Sequence, residues 1–202
     1  MEEQYVDENF EIKTRRKEDV QVELEKVEAT EAKIQRNLDA FVTPEDFRTK
    51  LRTGEGKLES TSGVCPGFQQ ANLAFIPNEN VTDFAEFCRL NPGPLPVLHR
   101  SYEADDFNAE PLTHEYSDAR TDAAGYEVYI AGNRQEPQKY LLPAAKYENM
   151  QVFYLGCSFG FEKALMDNGV AMRNIDQGRN VSMYRTNIKM NQVNQHQMLN
   201  SS

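Results

Sequence analysis

Three short stretches hold side chains whose types and spacing could do chemistry. The first is Gly156-Cys157-Ser158, set between an apolar run at 152–155 and a helical run at 159–168. A strand that feeds a tight turn into a helix leaves backbone N–H groups unpaired at the helix start. With the positive end of the helix dipole, these groups form a ready anion site. Ser158 is the natural N-cap, Glu162 sits near the same end, and a thiol at Cys157 is expected to have its pKa lowered there. On this reading Cys157 or Ser158 touches a bound carboxylate or phosphate. The plainer reading is a capping serine beside a small buried cysteine.

The second stretch is Tyr184-Arg185-Thr186-Asn187. Arg185 presents a planar fork suited to a carboxylate. Tyr184 can donate a proton or a hydrogen bond, and Asn187 can orient an amide or carboxyl group. The alternative is a surface loop whose arginine pairs one of many acids. The third stretch, Cys65-Pro66-Gly67-Phe68-Gln69-Gln70-Ala71-Asn72, is a loop entering a strand, with Gln69 and Asn72 bordering apolar residues. It reads either as a binding loop or as a turn held by ordinary side-chain-to-backbone bonds. Other constellations fail. His99, His114 and His196 show no metal spacing with the cysteines, and there is no Gly-x-Gly-x-x-Gly, P-loop or Gly-x-Ser-x-Gly frame.

Elements must position these residues. Thr43-Pro44-Glu45-Asp46 is a helix start, with a capping Thr, Pro in the first turn and acids where the dipole favours them. Phe47 and Leu51 form that helix's apolar side, and Gly54 or Gly56 ends it. Residues 71–76 form a short apolar strand stopped by Pro77-Asn78. Thr82 opens a helix carrying Phe84, Phe87 and Cys88, closed by Asn91-Pro92-Gly93-Pro94. Residues 100–124 are acidic and irregular. Residues 126–130 alternate as a strand should, with Gly132-Asn133 as a hairpin turn. Residues 152–155 are a buried-type strand, and Gly169 is the αL cap of the helix that follows. The expected fold class is α/β, with a mixed α+β arrangement as its variant: a sheet built from 71–76, 126–130 and 152–155, with packed helices.

The chain has 202 residues, with 22 Lys and Arg against 32 Asp and Glu, a formal charge of −10. That balance argues against a nucleic-acid binder and against an anionic membrane surface. No run approaches the ~20 apolar residues of a membrane span. Residues 1–42 hold 12 acids and 7 bases, half of the net charge. In that lead Val20, Leu24, Val27, Ile34, Leu38 and Phe41 make an a/d stripe, so it is expected to be an amphipathic acidic helix or disordered. Three cysteines, widely spaced, fit a reducing compartment better than a disulfide framework. From Lys189 the chain is rich in Asn and Gln and is expected to be a disordered tail.

The motif blocks resemble a known family. Gly63-Val64-Cys65-Pro66-Gly67-Phe68-Gln69-Gln70-Ala71-Asn72-Leu73, the stretch FAEFCRLNP from Phe84 to Pro92, Leu155 to Glu162 (LGCSFGFE) and Asn180 to Ile188 (NVSMYRTNI) stand in the order of the D-glutamate cyclase family. Arg120-Thr121-Asp122 is a weaker match. Bacterial members are described as hydro-lyases. The resemblance covers roughly residues 43–188, the expected domain. It implies a lyase that closes D-glutamate to 5-oxo-D-proline with loss of water, without metal or organic cofactor, on a small amino-acid or carboxylate substrate.

Under that resemblance Arg185 is expected to hold the α-carboxylate, with Asn187 beside it. The Cys157-Ser158 turn is expected to stabilise the oxyanion, Glu162 or Tyr184 to move protons, and Gln69 and Asn72 to orient the substrate. Family members continue past the Tyr-Arg-Thr-Asn block, so the chain is expected to be truncated at its C-terminus. A catalytically inactive truncated paralogue acting as a binding or regulatory protein is the alternative; a homo-oligomer is a separate expectation for the partners. The acidic start lacks transit composition, which points to the cytoplasm; the family offers the mitochondrion as the other compartment.

Overall fold

The structure is a computed structural model that describes residues 3–6, 12–15, 17–40, 43–55, 60–103, 106–143, 147–177, 179, 181–183 and 185–193. The lead holds a two-stranded antiparallel hairpin, β1 (Glu3–Val6) and β2 (Ile12–Arg15), and a long helix, α1 (Lys17–Ala40). The helix answers the expectation for the lead; the hairpin was not anticipated. Phe41, the last residue of the expected apolar stripe, lies outside the described residues.

Helix α2 (Pro44–Thr53) starts and stops as its sequence dictates. The Asp46 N–H donates to Thr43 Oγ1 at 3.2 Å, and Gly54 closes the helix at φ 80°, a conformation open to glycine at little cost. Strand β3 (Ala71–Pro77), a 3₁₀ turn at Asn78–Asn80, helix α3 (Val81–Leu90) and strand β4 (Val97–Arg100) follow. Thr82 lies inside α3 rather than at its cap. After a long irregular segment come the hairpin β5 (Tyr129–Ile130) and β6 (Asn133–Arg134), then β7 (Met150–Gly156), α4 (Phe159–Asp167) and the single turn α5 (Arg173–Asp176).

The fold is mixed α+β. Its central sheet has the order β3-β7-β4, with both pairings antiparallel. Two parts of the expected sheet are corrected. The 126–130 segment contributes only the separate β5–β6 hairpin and a lone bridge from Tyr126 to Gln138. That hairpin turns at Ala131 and Gly132, both at positive φ, one residue earlier than expected. The third strand of the sheet is instead β4, whose pairing partner lies some fifty residues away in the chain.

Strand β7 is buried on both faces. Val152 and Tyr154 point into a cluster with Phe107, Ala109 and Ala119, against Leu73 and Phe75 of β3. On the opposite face the Phe153 ring meets Phe84 of α3 edge-on at 4.9 Å. The segment called irregular at 100–124 is therefore a wall of the core. The Tyr126 hydroxyl donates to the Ala119 carbonyl, fastening its end. Among the described residues no helix is long and apolar enough to cross a membrane.

Candidate functional site

Register places the first candidate residues. Ala71 of β3 pairs with Gly156 of β7, so the loop entering β3 meets the turn leaving β7. The Cys157 thiol donates to the Gln70 carbonyl at 3.7 Å. The Gln70 amide donates to the Thr61 and Val64 carbonyls at 3.0 and 2.9 Å, which fixes the loop against the turn. The Gln69 side chain lies over Gly160. A Cβ built there would stand 2.5 Å from its Nε2 and 2.8 Å from its Cδ, so glycine is what admits the contact.

Helix α4 carries the carboxylate. Glu162 is 3% exposed. Ser158 Oγ donates to its Oε1 at 2.6 Å, and Ser182 Oγ donates to the same oxygen at 2.8 Å. The two serine oxygens are 3.3 Å apart. Oε2 makes no hydrogen bond among the described residues. A buried carboxylate needs such partners, because desolvation of the charged form is otherwise costly. A cleft of about 380 Å³ opens over this group, bounded by Ser62, Pro66, Gly67, Phe159 and Gly160.

Two expectations for the turn are corrected. Ser158 holds helical backbone angles and makes no side-chain cap; its hydroxyl is spent on Glu162. The Cys157 thiol is pushed up, not down, from its ordinary pKa. Burial is the largest cause, and it outweighs the Phe159 and Gly160 N–H groups that point at the sulfur, while the Glu162 charge adds to the rise. The helix start is thus already used by the chain's own sulfur.

Cys157, Ser158, Glu162 and Gln69 come together at this turn. Asn72 is exposed on β3 and lines a second, larger cleft that Gln69 also borders. Arg185 and Asn187 are exposed, and neither side chain makes a hydrogen bond or ion pair among the described residues. Tyr184 lies outside the described residues. Ser182, which the residue reading did not single out, joins the site from 20 positions away. Its place in the Asn180–Ile188 block was the signal that pointed near it; no local spacing links it to Glu162. Among the described residues no group of three or more His, Cys, Asp or Glu could hold a metal ion.

Asp122 centres a second polar cluster. Arg52 grips its carboxylate with Nε and Nη2 at 2.7 and 2.8 Å, the Asp118 N–H donates at 2.8 Å, and the Thr121 hydroxyl at 3.0 Å. Beside it Arg120 pairs with Asp118 at 2.7 Å and stacks on the Phe107 ring. Thus the Arg120-Thr121-Asp122 block joins α2 to the wall of the core.

Comparison with known proteins bears on the same segments. The family model for D-glutamate cyclase matches residues 152–199, which include Glu162 and Ser182. A protein of Burkholderia ambifaria named "putative hydro-lyase" is 42% identical over 147 residues, 73% of this chain and 56% of that protein. One from a Bradyrhizobium species with the same name is 44% identical over 141 residues, 70% of this chain and 50% of that one. One from Rubrobacter xylanophilus is 40% identical over 143 residues, 70% and 53% respectively. The chain therefore spans about half the length of the curated relatives it matches. Ordered motif blocks, the family model matched over residues 152–199 and relatives at this identity together support placing the chain with the D-glutamate cyclase family.

Proposed function

We propose that the protein is a hydro-lyase of the D-glutamate cyclase type that converts D-glutamate to 5-oxo-D-proline and water at the Glu162 cleft. The observation that carries this reading is the buried Glu162 carboxylate, held by Ser158 and Ser182 on one oxygen at the edge of a small cleft.

The chemistry asks for a group of this kind. The α-amine, once neutral, attacks the γ-carboxyl carbon and forms the C–N bond. A C–O bond of that carboxyl then breaks, and its oxygen leaves as water after taking up protons. Overall the ammonium gives up two protons and the departing oxygen gains two, so no co-reactant is required. Glu162 Oε2 would take the proton from the amine and return one to the leaving oxygen. Gln69 would orient the substrate at the rim, with Asn72 further along β3. Ser158 and Cys157 border the place where the tetrahedral oxygen would form, and Arg185 with Asn187 would receive the α-carboxylate.

Incubation of the chain with D-glutamate, followed by chiral chromatography for 5-oxo-D-proline, tests the reading. Product above background is expected from the parent, with a loss of roughly 10²–10⁴-fold in Glu162→Gln, the usual share of a general acid–base. Product at equal rate from both proteins would overturn it. Exposure of Arg185 and Asn187 favours a second reading, a protein that binds such a substrate without turning it over. That reading predicts D-glutamate binding with no product.

A further inference from the structure

The larger cleft encloses about 780 Å³ between α2, β3 and the 113–129 segment. That volume falls within the range of small-molecule sites, which are mostly apolar with a few placed polar groups. Phe47, Leu73, Phe75, Tyr126 and Tyr154 supply apolar and aromatic wall. Three charged side chains border it, namely Arg48, Asp122 and Glu127.

Two of these charges are committed. Glu127 is held by the Arg134 fork at 2.6 and 2.8 Å. The Asp122 carboxylate accepts four hydrogen bonds: the two from Arg52, one from the Asp118 N–H and one from the Thr121 hydroxyl. A carboxylate has about four lone-pair sites, so these fill it. Arg48 is left over. Its side chain is 16% exposed, and the nearest carboxylate oxygens are Asp122 Oδ2 at 3.7 Å and Glu45 Oε1 at 4.0 Å. Both distances exceed hydrogen-bond reach. Among the described residues the guanidinium makes no hydrogen bond, although most of its side chain is out of water. A group with five N–H donors in that position is built for an acceptor that the described residues do not provide.

We propose that the larger cleft is a binding site for a small organic carboxylate with an apolar body, anchored by Arg48. The carboxylate takes the two parallel N–H bonds of the guanidinium, and the body lies against Phe47, Phe75 and Tyr126. The site stands independently of any turnover at Glu162.

Phenylacetate is the probe and phenylacetamide, its neutral counterpart, the control. Each is titrated into the full chain by isothermal calorimetry and by NMR. Saturable phenylacetate binding is expected, with the amide at least tenfold weaker. Arg48→Gln should lose at least tenfold in affinity, and Arg48→Lys should fall between, since a point charge replaces a fork. Arg185→Ala should bind as the parent does. If Arg48→Gln fails to fold, Arg48→Lys and the amide comparison on the parent still decide. No phenylacetate binding at millimolar concentration, equal affinity for the amide, Arg48 variants that bind like the parent, or loss of binding in Arg185→Ala would each overturn the assignment. The readout is binding, so an absence of 5-oxo-D-proline in the turnover assay leaves it untouched.

Discussion

Glu162 receives both serine hydroxyls on one oxygen, so each serine fixes the carboxylate's rotation and leaves Oε2 to the cleft. Ser182 acts through Glu162 and is a positioning residue. Ser182→Ala should lower the rate of 5-oxoproline formation about tenfold with little change in KM, and Ser182→Thr, which restores the hydroxyl, should recover most of it. Its unfolding free energy from urea titration should also drop by about 1 kcal/mol, with a lower midpoint, the usual effect of removing a hydrogen bond to a buried group. An unchanged rate with a lowered midpoint would make Ser182 merely structural. The cysteines carry a second expectation. Burial pushes the Cys65 thiol up to about 11, with the Arg48 charge opposing and Asp46 and Glu45 reinforcing the rise. Its alkylation by iodoacetamide in the native protein should therefore stay slow at pH 8 and climb toward pH 11. A plateau by pH 9, where an ordinary thiol is already titrating, would contradict this.

At the scale of elements, what could be read in advance is what local chemistry decides. Thr43, Pro44 and Gly54 delimit α2 through bonds made within the helix itself, and the apolar runs at β3 and β7 announce strands without reference to partners. The turn at Gly156-Cys157-Ser158 was legible for the same reason. Strand β4 was not, because Val97 and Leu98 are both exposed and the segment becomes a strand only through hydrogen bonds to β7. The thiol shift at Cys157 was misjudged because position at a helix start is a local cue, whereas desolvation depends on the 61–70 loop packed over it. Ser182 is hidden by the same non-locality. The Arg52–Asp122 fork is another such link, joining α2 to the core wall across 70 residues. Asp122→Ala would leave Arg52 without its carboxylate and orphan the Asp118 N–H. It should cost about 3 kcal/mol by urea unfolding, the low end for breaking a buried pair, since Arg52 is 39% exposed. Arg52→Ala should cost less, because Asp122 keeps two other donors. The reverse order would show that the fork is not the joint.

For the molecule as a whole, the central sheet has three strands, and one of its faces is closed by a segment with no regular structure. That closure combines the apolar packing of Phe107, Ala109 and Ala119 with the Arg120–Asp118 and Arg52–Asp122 pairs rather than repeated backbone pairing, so part of it should answer to pH. Asp118 is the group to follow. Burial alone would raise its carboxyl, but the Arg120 side-chain and backbone hydrogen bonds, with the charges of Arg120 and Arg52, outweigh burial and hold it below its ordinary 3.8. A carboxyl lowered by folding binds fewer protons in the native state than in the unfolded one. Its contribution is therefore fully present above about pH 4–5 and is lost as pH falls through the native value. Urea midpoints at pH 6 and pH 3 should differ in the parent, with the lower stability at pH 3. Asp118→Asn, which cannot titrate and keeps an acceptor for Arg120, should start less stable at pH 6 and lose less on acidification. Residues 1–42 carry half of the net charge and would add their own acid dependence through loss of repulsion, but with the opposite sign, since protonating an acidic lead relieves repulsion. Repeating the comparison at high ionic strength separates the two. The contact between Arg120 and Asp118 is short and one-third exposed or less on each side, so it should persist where long-range repulsion is screened. If the parent and Asp118→Asn lose the same stability between pH 6 and pH 3 at both salt concentrations, the closure of the sheet does not rest on this carboxylate.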